Sequence, residues 1–294
     1  MGMHAKHTKT ELQQANYTLV LGGGGVTGIA WMTGVLRGLE EKGLNLEQFD
    51  KLIGTSAGAT VAAQITSGVK IEDLYQRQID VKKQVNEIAP AINLFKILPK
   101  LIPAFLVKNK PIKFRQRVGR MAIKAKTVDA EIRRQVILER MPSHEWPSID
   151  LHIMAVHANS GELINFTKNS NVSFVDAVAA SCAVPGIWPS VNINGEYYYD
   201  GGIRSAENAD FALASKRVLI ISPTGLNGMS MPGSSLKAEI EFLARNGCEV
   251  VLISPDSHSI NAMGKNPLAP SKRKASATAG YLQGLAHSDF KTKD

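Results

Sequence analysis

Lys51-Leu52-Ile53-Gly54-Thr55-Ser56-Ala57-Gly58-Ala59-Thr60-Val61-Ala62-Ala63 passes from a short apolar strand into an alanine-rich helix with one serine at the junction. Lys51 to Ile53 has the strand character, and the run from Ala57 to Thr66 has the helical one. A hydroxyl on such a strand-to-helix turn is held away from the backbone. The flanking Gly54 and Gly58 let the chain bend where a Cβ would collide. Ser56 is therefore the candidate nucleophile of the chain.

Upstream of this turn, the apolar run Tyr17 to Leu21 ends in Gly22-Gly23-Gly24-Gly25. Ile29, Met32, Val35, Leu36 and Leu39 then recur at helical spacing, and Gly43 supplies a stop. Two strands that each feed a helix, in such quick succession, predict an α/β fold with a mainly parallel central sheet flanked by helices. Downstream, Ile149 to Val156 and Glu162 to Phe166 read as a strand pair. Ser173 with Asp176 starts a helix that reaches Ala183, and Pro185 ends it. Val191 to Ile193 and Glu196 to Tyr198 flank Asn194-Gly195, a strong two-residue hairpin signal, and the returning strand delivers Asp200-Gly201-Gly202. Arg217 to Ile221 and Glu249 to Ile253, separated by a helix over Leu236 to Arg245, extend the same sheet.

Residues 1–16 are polar and basic without the apolar core of roughly 7–15 residues that a secretion signal needs, and are expected to be a disordered leader. Residues 17–265 form the expected catalytic domain, with an insertion at about 85–130 as a cap, and 266–294 a basic, partly helical C-terminal tail. Between Ile88 and Val128 the cations Lys96, Lys100, Lys108, Lys110, Lys113, Arg115, Arg117, Arg120, Lys124 and Lys126 occur with no Asp or Glu among them. Their apolar neighbours Leu94, Phe95, Ile97, Leu98, Leu101, Ile102, Phe105 and Leu106 make the stretch a candidate interfacial segment, facing an anionic membrane through residues 88–126. No apolar run approaches the ~20 residues of a spanning helix. The net charge of +8 favours anionic partners in general, but without a nucleic-acid motif no nucleic acid is expected among them. Two cysteines, Cys182 and Cys248, without metal-ligand spacing point to a reducing cytosol, two buried thiols and no structural metal. The expected localisation is cytoplasmic with peripheral membrane contact.

Acyl transfer through a serine needs a proton acceptor and donors for the developing oxyanion. Gly22 to Gly25 can turn several backbone N–H groups into one concavity at a helix start, and Asp200, between a strand and two glycines, can approach another loop closely. The glycine loop alone fits a dinucleotide site equally, but the acidic residue that would hold a ribose is missing where the second strand ends in Gly54-Thr55-Ser56. Ser56, Asp200 and His258 also stand in the chain order of a histidine-containing triad, although a nucleophile after only the second strand is early for that fold.

Taken in order, Gly23-Gly24-Gly25-Val26-Thr27-Gly28, Gly54-Thr55-Ser56-Ala57-Gly58 and Asp200-Gly201-Gly202 resemble the three motifs of patatin-like phospholipases. The stretch Ala180 to Gly186 is similar to that family's approach to its aspartate. The resemblance covers roughly Tyr17 to Gly202. It implies a three-layer α/β/α fold and calcium-independent hydrolysis of acyl esters in lipids or phospholipids by a Ser-Asp dyad, without a cofactor. It makes Ser56 the nucleophile, Asp200 the base, and Gly23, Gly24 and Gly25 the oxyanion donors, with Gly28, Gly54, Gly58, Gly201 and Gly202 supporting the motifs. Thr27 departs from the pattern, since many members carry Arg or Lys there. The alternative it leaves is a weakly active or inactive lipid-binding protein of the same fold.

Overall fold

A computed structural model describes residues 15–85, 87–88, 102–228 and 231–287. Strand β1 (Ala15–Leu21), helix α1 (Gly25–Glu41), strand β2 (Lys51–Thr55) and helix α2 (Ala57–Ile65) open the chain as two strand–turn–helix units. After α3 (Ile71–Ile79), α4 (Pro111–Lys124) and α5 (Ala130–Arg140) come β3 (Asp150–His157), β4 (Leu163–Phe166), α6 (Phe174–Ser181), β5 (Val191–Ile193) and β6 (Glu196–Asp200). The chain closes with β7 (Ser215–Ile221), α7 (Leu236–Arg245), β8 (Glu249–Ile253), α8 (Ser257–Met263) and α9 (Arg273–Ala286).

The sheet runs β5-β6-β3-β2-β1-β7-β8, with β4 also paired to β3. From β3 to β8 every pairing is parallel, whereas β4, β5 and β6 join antiparallel at one side. Strand alternation sorts the core into two layers. Leu19, Leu21, Leu219 and Ile221 pack on one face with residues of α1, α2 and α6, while Val20, Ile53, Val218 and Ile220 pack on the other with Ala209, Ala212 and α7. This is the expected three-layer α/β/α arrangement.

Several features differ from the sequence expectation. β1 begins at Ala15 rather than Tyr17, because Ala15 pairs with Ser215 and the Asn16 amide donates to Asp50 Oδ2 (2.7 Å). The leader therefore contributes its last two residues to the sheet, and 1–14 lie outside the described residues. The stretch expected as a C-terminal tail is a helix packed against α1 over Arg273–Ala286. Gly34 and Gly38 on α1 face Gly280 and Gly284 on α9, and a Cβ at any of them would run into a backbone carbonyl oxygen of the other helix: Ala277, Tyr281, Trp31 and Val35 respectively. Trp31 Nε1 donates to the buried Gln283 Oε1 (3.2 Å) across the same contact. In the cap, α4 lies over β6 and the end of β3, where Phe114 and Val118 pack with Val156, Ala158 and Tyr199. Arg115, grouped in sequence with the surface cations, is buried there and donates to the Gly161 carbonyl (2.6 Å). Lys96 and Lys100, and the apolar residues from Leu94 to Leu101, lie outside the described residues.

Candidate active site

Strand register brings the two distant motifs together. Thr55, the last residue of β2, pairs with Met154, and Asp200, the last residue of β6, pairs with Ala155, so both strand ends arrive at consecutive residues of β3. Ser56 follows Thr55, and its Oγ donates to Asp200 Oδ2 at 2.7 Å.

Ser56 holds φ +54°, a conformation that L residues other than Asn and Asp rarely adopt. Its surroundings fix it. The Ser56 amide donates to Ser181 Oγ (2.9 Å), whose own hydroxyl donates to the Met154 carbonyl (2.6 Å). The Ser56 carbonyl accepts from Ala59 N (3.0 Å) and from Cys182 Sγ (3.1 Å). Burial pushes the Cys182 thiol up, which keeps it protonated as a donor. Cys182 is thus buried as expected, but it also has a polar task. A Cβ on Gly58 would overlap the carbonyl of Leu21, so β1 and α2 approach as closely as they do only with glycine there.

Asp200 is 4% exposed. Its second oxygen, Oδ1, accepts from Gly202 N (2.7 Å). Burial raises its pKa from the ordinary 3.8 to about 6, with the bonds from Ser56 and Gly202 pulling in the opposite direction. The carboxylate is consequently ionised at neutral pH, yet a stronger base than a free aspartate.

The glycine loop lies against this pair, since a Cβ on Gly23 would stand 3.6 Å from Ser56 Cβ. Of the three amides assigned as oxyanion donors, that of Gly23 is already engaged, donating to the Ala206 carbonyl at 2.8 Å. Sequence cannot reveal such a bond, because its acceptor is a main-chain oxygen far along the chain. The Gly24 and Gly25 amides precede the first intrahelical bond of α1 and have no acceptor among the described residues. The amide of Ala57, first in α2, is equally free and was not singled out by sequence. Thr27 is buried, its Oγ1 without a partner among the described residues and its amide donating to the Pro267 carbonyl (3.0 Å), so it presents no charge to the concavity.

Residues 204–208 tie these parts together. Asn208, at φ +51°, donates from Nδ2 to Thr55 Oγ1 (3.0 Å) and to the carbonyls of Ser205 (2.8 Å) and Gly201 (3.4 Å), and Thr55 Oγ1 donates to the Glu207 carbonyl (3.3 Å). Glu207 itself is buried beneath Gly22 and accepts from Ser222 Oγ (2.5 Å) and Thr224 Oγ1 (3.0 Å). Asn208 carried no sequence signal beyond its place in a polar loop. No described histidine is bonded to Ser56 or Asp200. His152 bonds Asp150 and Asn165, His157 bonds Ser160 and Glu196, and His258 is exposed on the first turn of α8.

The patatin-like phospholipase family model matches residues 19–213, so the chain belongs to that family of lipid acyl hydrolases. Among solved structures it is similar to VipD from Legionella pneumophila, at 16% identity over 95% of this chain and 69% of that one (TM-score 0.46). It is also similar to the type III effector protein ExoU, at 16% identity over 92% of this chain and 52% of that one (TM-score 0.41). A further match is full-length ExoU from the type III secretion system of Pseudomonas aeruginosa, in complex with SpcU, at 15% identity over 94% of this chain and 54% of that one (TM-score 0.38). The chain thus spans about half the length of ExoU. No curated protein sequence matches it. No helix among the described residues is long and apolar enough to cross a membrane.

Proposed function

We propose that the chain hydrolyses acyl esters of phospholipids or lysophospholipids through a Ser56–Asp200 dyad and a covalent acyl-serine. The observation that supports this most directly is the 2.7 Å bond between a hydroxyl at positive φ and a buried carboxylate that no cation among the described residues neutralises. Ser56 Oγ attacks the acyl carbonyl carbon as its proton passes to Asp200. The N–H groups of Gly24, Gly25 and Ala57 stabilise the oxyanion, and collapse expels the alcohol, which takes the proton from Asp200. Water, deprotonated by the same carboxylate, then attacks the acyl-serine, and the C–Oγ bond breaks as Ser56 Oγ takes that proton back from Asp200, releasing free fatty acid. A fluorophosphonate probe is expected to label Ser56, and the purified protein to release fatty acid from phospholipid vesicles in the presence of a chelator. Binding to vesicles with neither labelling nor acyl release would favour the lipid-binding alternative.

The protein is further proposed to meet its substrate as a peripheral protein on an anionic bilayer. Ile102 and Leu106 are 57% and 77% exposed, beside exposed Lys108, Lys110 and Lys113 and with Arg120 and Lys124 further along α4. Apolar side chains amid cations are what an interfacial anchor requires. Replacing Ile102 and Leu106 together by Ser is expected to weaken co-sedimentation with phosphatidylserine-containing vesicles about tenfold, corresponding to ~1.4 kcal/mol of apolar burial. Unchanged co-sedimentation would remove this surface from the proposal.

A further inference from the structure

Three buried arginines close to the site share one carboxylate. Glu87 pairs with Arg140 through both oxygens (3.0 and 2.5 Å) and lies 3.7 Å from Arg273. Arg133, two turns before Arg140 on α5, has no such partner. It is 6% exposed, its guanidinium carbon lies 3.9 Å from the centre of the Trp188 ring, and no acceptor among the described residues meets its nitrogens. Nη1 is sealed from solvent without a hydrogen bond.

A buried guanidinium whose one nearby carboxylate, Glu87, is already paired with Arg140 and Arg273 is under-compensated, and contact with an indole offsets only part of that cost. Its pKa reflects the imbalance: burial and the neighbouring Arg140 bring it down to about 10. The site is not remote from the reaction centre. The charges of Arg133 and Arg140 reach the thiol of Cys182, which donates to the Ser56 carbonyl, and Trp188 stands in the segment between α6 and the hairpin that carries Asp200.

We infer that Arg133, held over the Trp188 ring, is a phosphate subsite that makes this chain selective for phosphate-bearing lipids over neutral glycerides. The inference rests on the acyl-hydrolase reading for its substrate but not for its binding chemistry. A planar guanidinium offers two parallel N–H donors to a phosphate, and the phosphate supplies a counter-charge that Arg133 does not have to share with Arg140 and Arg273.

The test uses the full chain with Ser56→Ala, titrated calorimetrically with glycerol 3-phosphate and with inorganic phosphate. Glycerol 3-phosphate is expected to bind, and Arg133→Met to weaken it about tenfold or more. Binding of inorganic phosphate with equal strength would assign the subsite to free phosphate and overturn selectivity for lipid. Without any phosphate ligand, Arg133→Met is expected to melt at the same or a higher temperature than the parent, because it removes an unpaired buried charge; a clear fall would make Arg133 a structural cation and end the inference. In the active protein, Arg133→Met is expected to reduce the preference for lysophosphatidylcholine over monoacylglycerol, as a ratio of kcat/KM, about tenfold, with Arg133→Lys between the two. Equal losses on both substrates, or no change in the ratio, would overturn it. If neither substrate is hydrolysed by the parent protein, the function proposed above fails while the binding and melting results still decide the subsite.

Discussion

Asp200→Asn is expected to yield a folded protein that is more stable than the parent at pH 8 and has lost ~10³-fold or more of its turnover. The two effects have one origin. Asp200 is buried and, among the described residues, accepts two hydrogen bonds and has no paired cation, so its ionised form is held at a cost. Its folded pKa of about 6 lies above the ordinary 3.8, so the folded state binds the proton more tightly than the unfolded one. Stability therefore falls as pH rises between those values, and the whole penalty, at most about 3 kcal/mol, is present above pH 6. An asparagine keeps the shape, accepts from Gly202 N and places an amide donor toward Ser56 Oγ, but it takes no proton. Urea denaturation should show a gain of roughly 1–3 kcal/mol at pH 8 and none near pH 4. In the parent protein kcat/KM should rise tenfold per pH unit up to a midpoint near 6 and then level off. A variant that keeps a tenth of the activity would remove Asp200 from the role of base and reopen a histidine mechanism.

Gly34→Val is expected to destabilise the protein by roughly 4 kcal/mol or more, enough to leave little folded material. A side chain at this position points at the Ala277 carbonyl, which is backbone and cannot swing aside. The contact is reciprocal, because Gly280 presses on the Trp31 carbonyl, so relaxation would have to separate α1 from α9 along their length. Gly43→Val provides the control. It follows α1 with nothing within 4 Å of its Cβ direction, so its φ of +99° produces strain alone, and a smaller loss is expected. Comparable midpoints for Gly34→Val and the parent protein in thermal melts would mean that the two helices do not pack this closely.

Sequence disclosed the frame of this fold better than its ties. The glycine turn after β1, the serine turn after β2 and Asn194-Gly195 between β5 and β6 are short-range devices, legible because each forces one local conformation whatever surrounds it. The same holds for Ser173, whose hydroxyl accepts from the Asp176 amide (3.1 Å) at the start of α6. The place of α9 was not legible. Gly280 and Gly284 are spaced to receive another helix, but only tertiary structure shows that Gly34 and Gly38 meet them. Around Ser56 the limits are similar. The meeting of Ser56 with Asp200 could be anticipated from motif order, whereas Ser181 under the serine amide, Cys182 on its carbonyl and Asn208 at Thr55 act on backbone or on one distant hydroxyl and leave no spacing to read. Arg115 shows the converse error, since a run of cations does not say which member turns inward.

The carbonyl of Pro267 caps the Thr27 amide, and α9 seats itself along α1, across some 240 residues of intervening chain. During synthesis the glycine loop emerges long before the pieces that press it into shape. A nascent chain arrested before residue 267 would carry Ser56 and Asp200 without a finished anion cradle, so esterase activity should be switched on only once residues 267–286 have emerged.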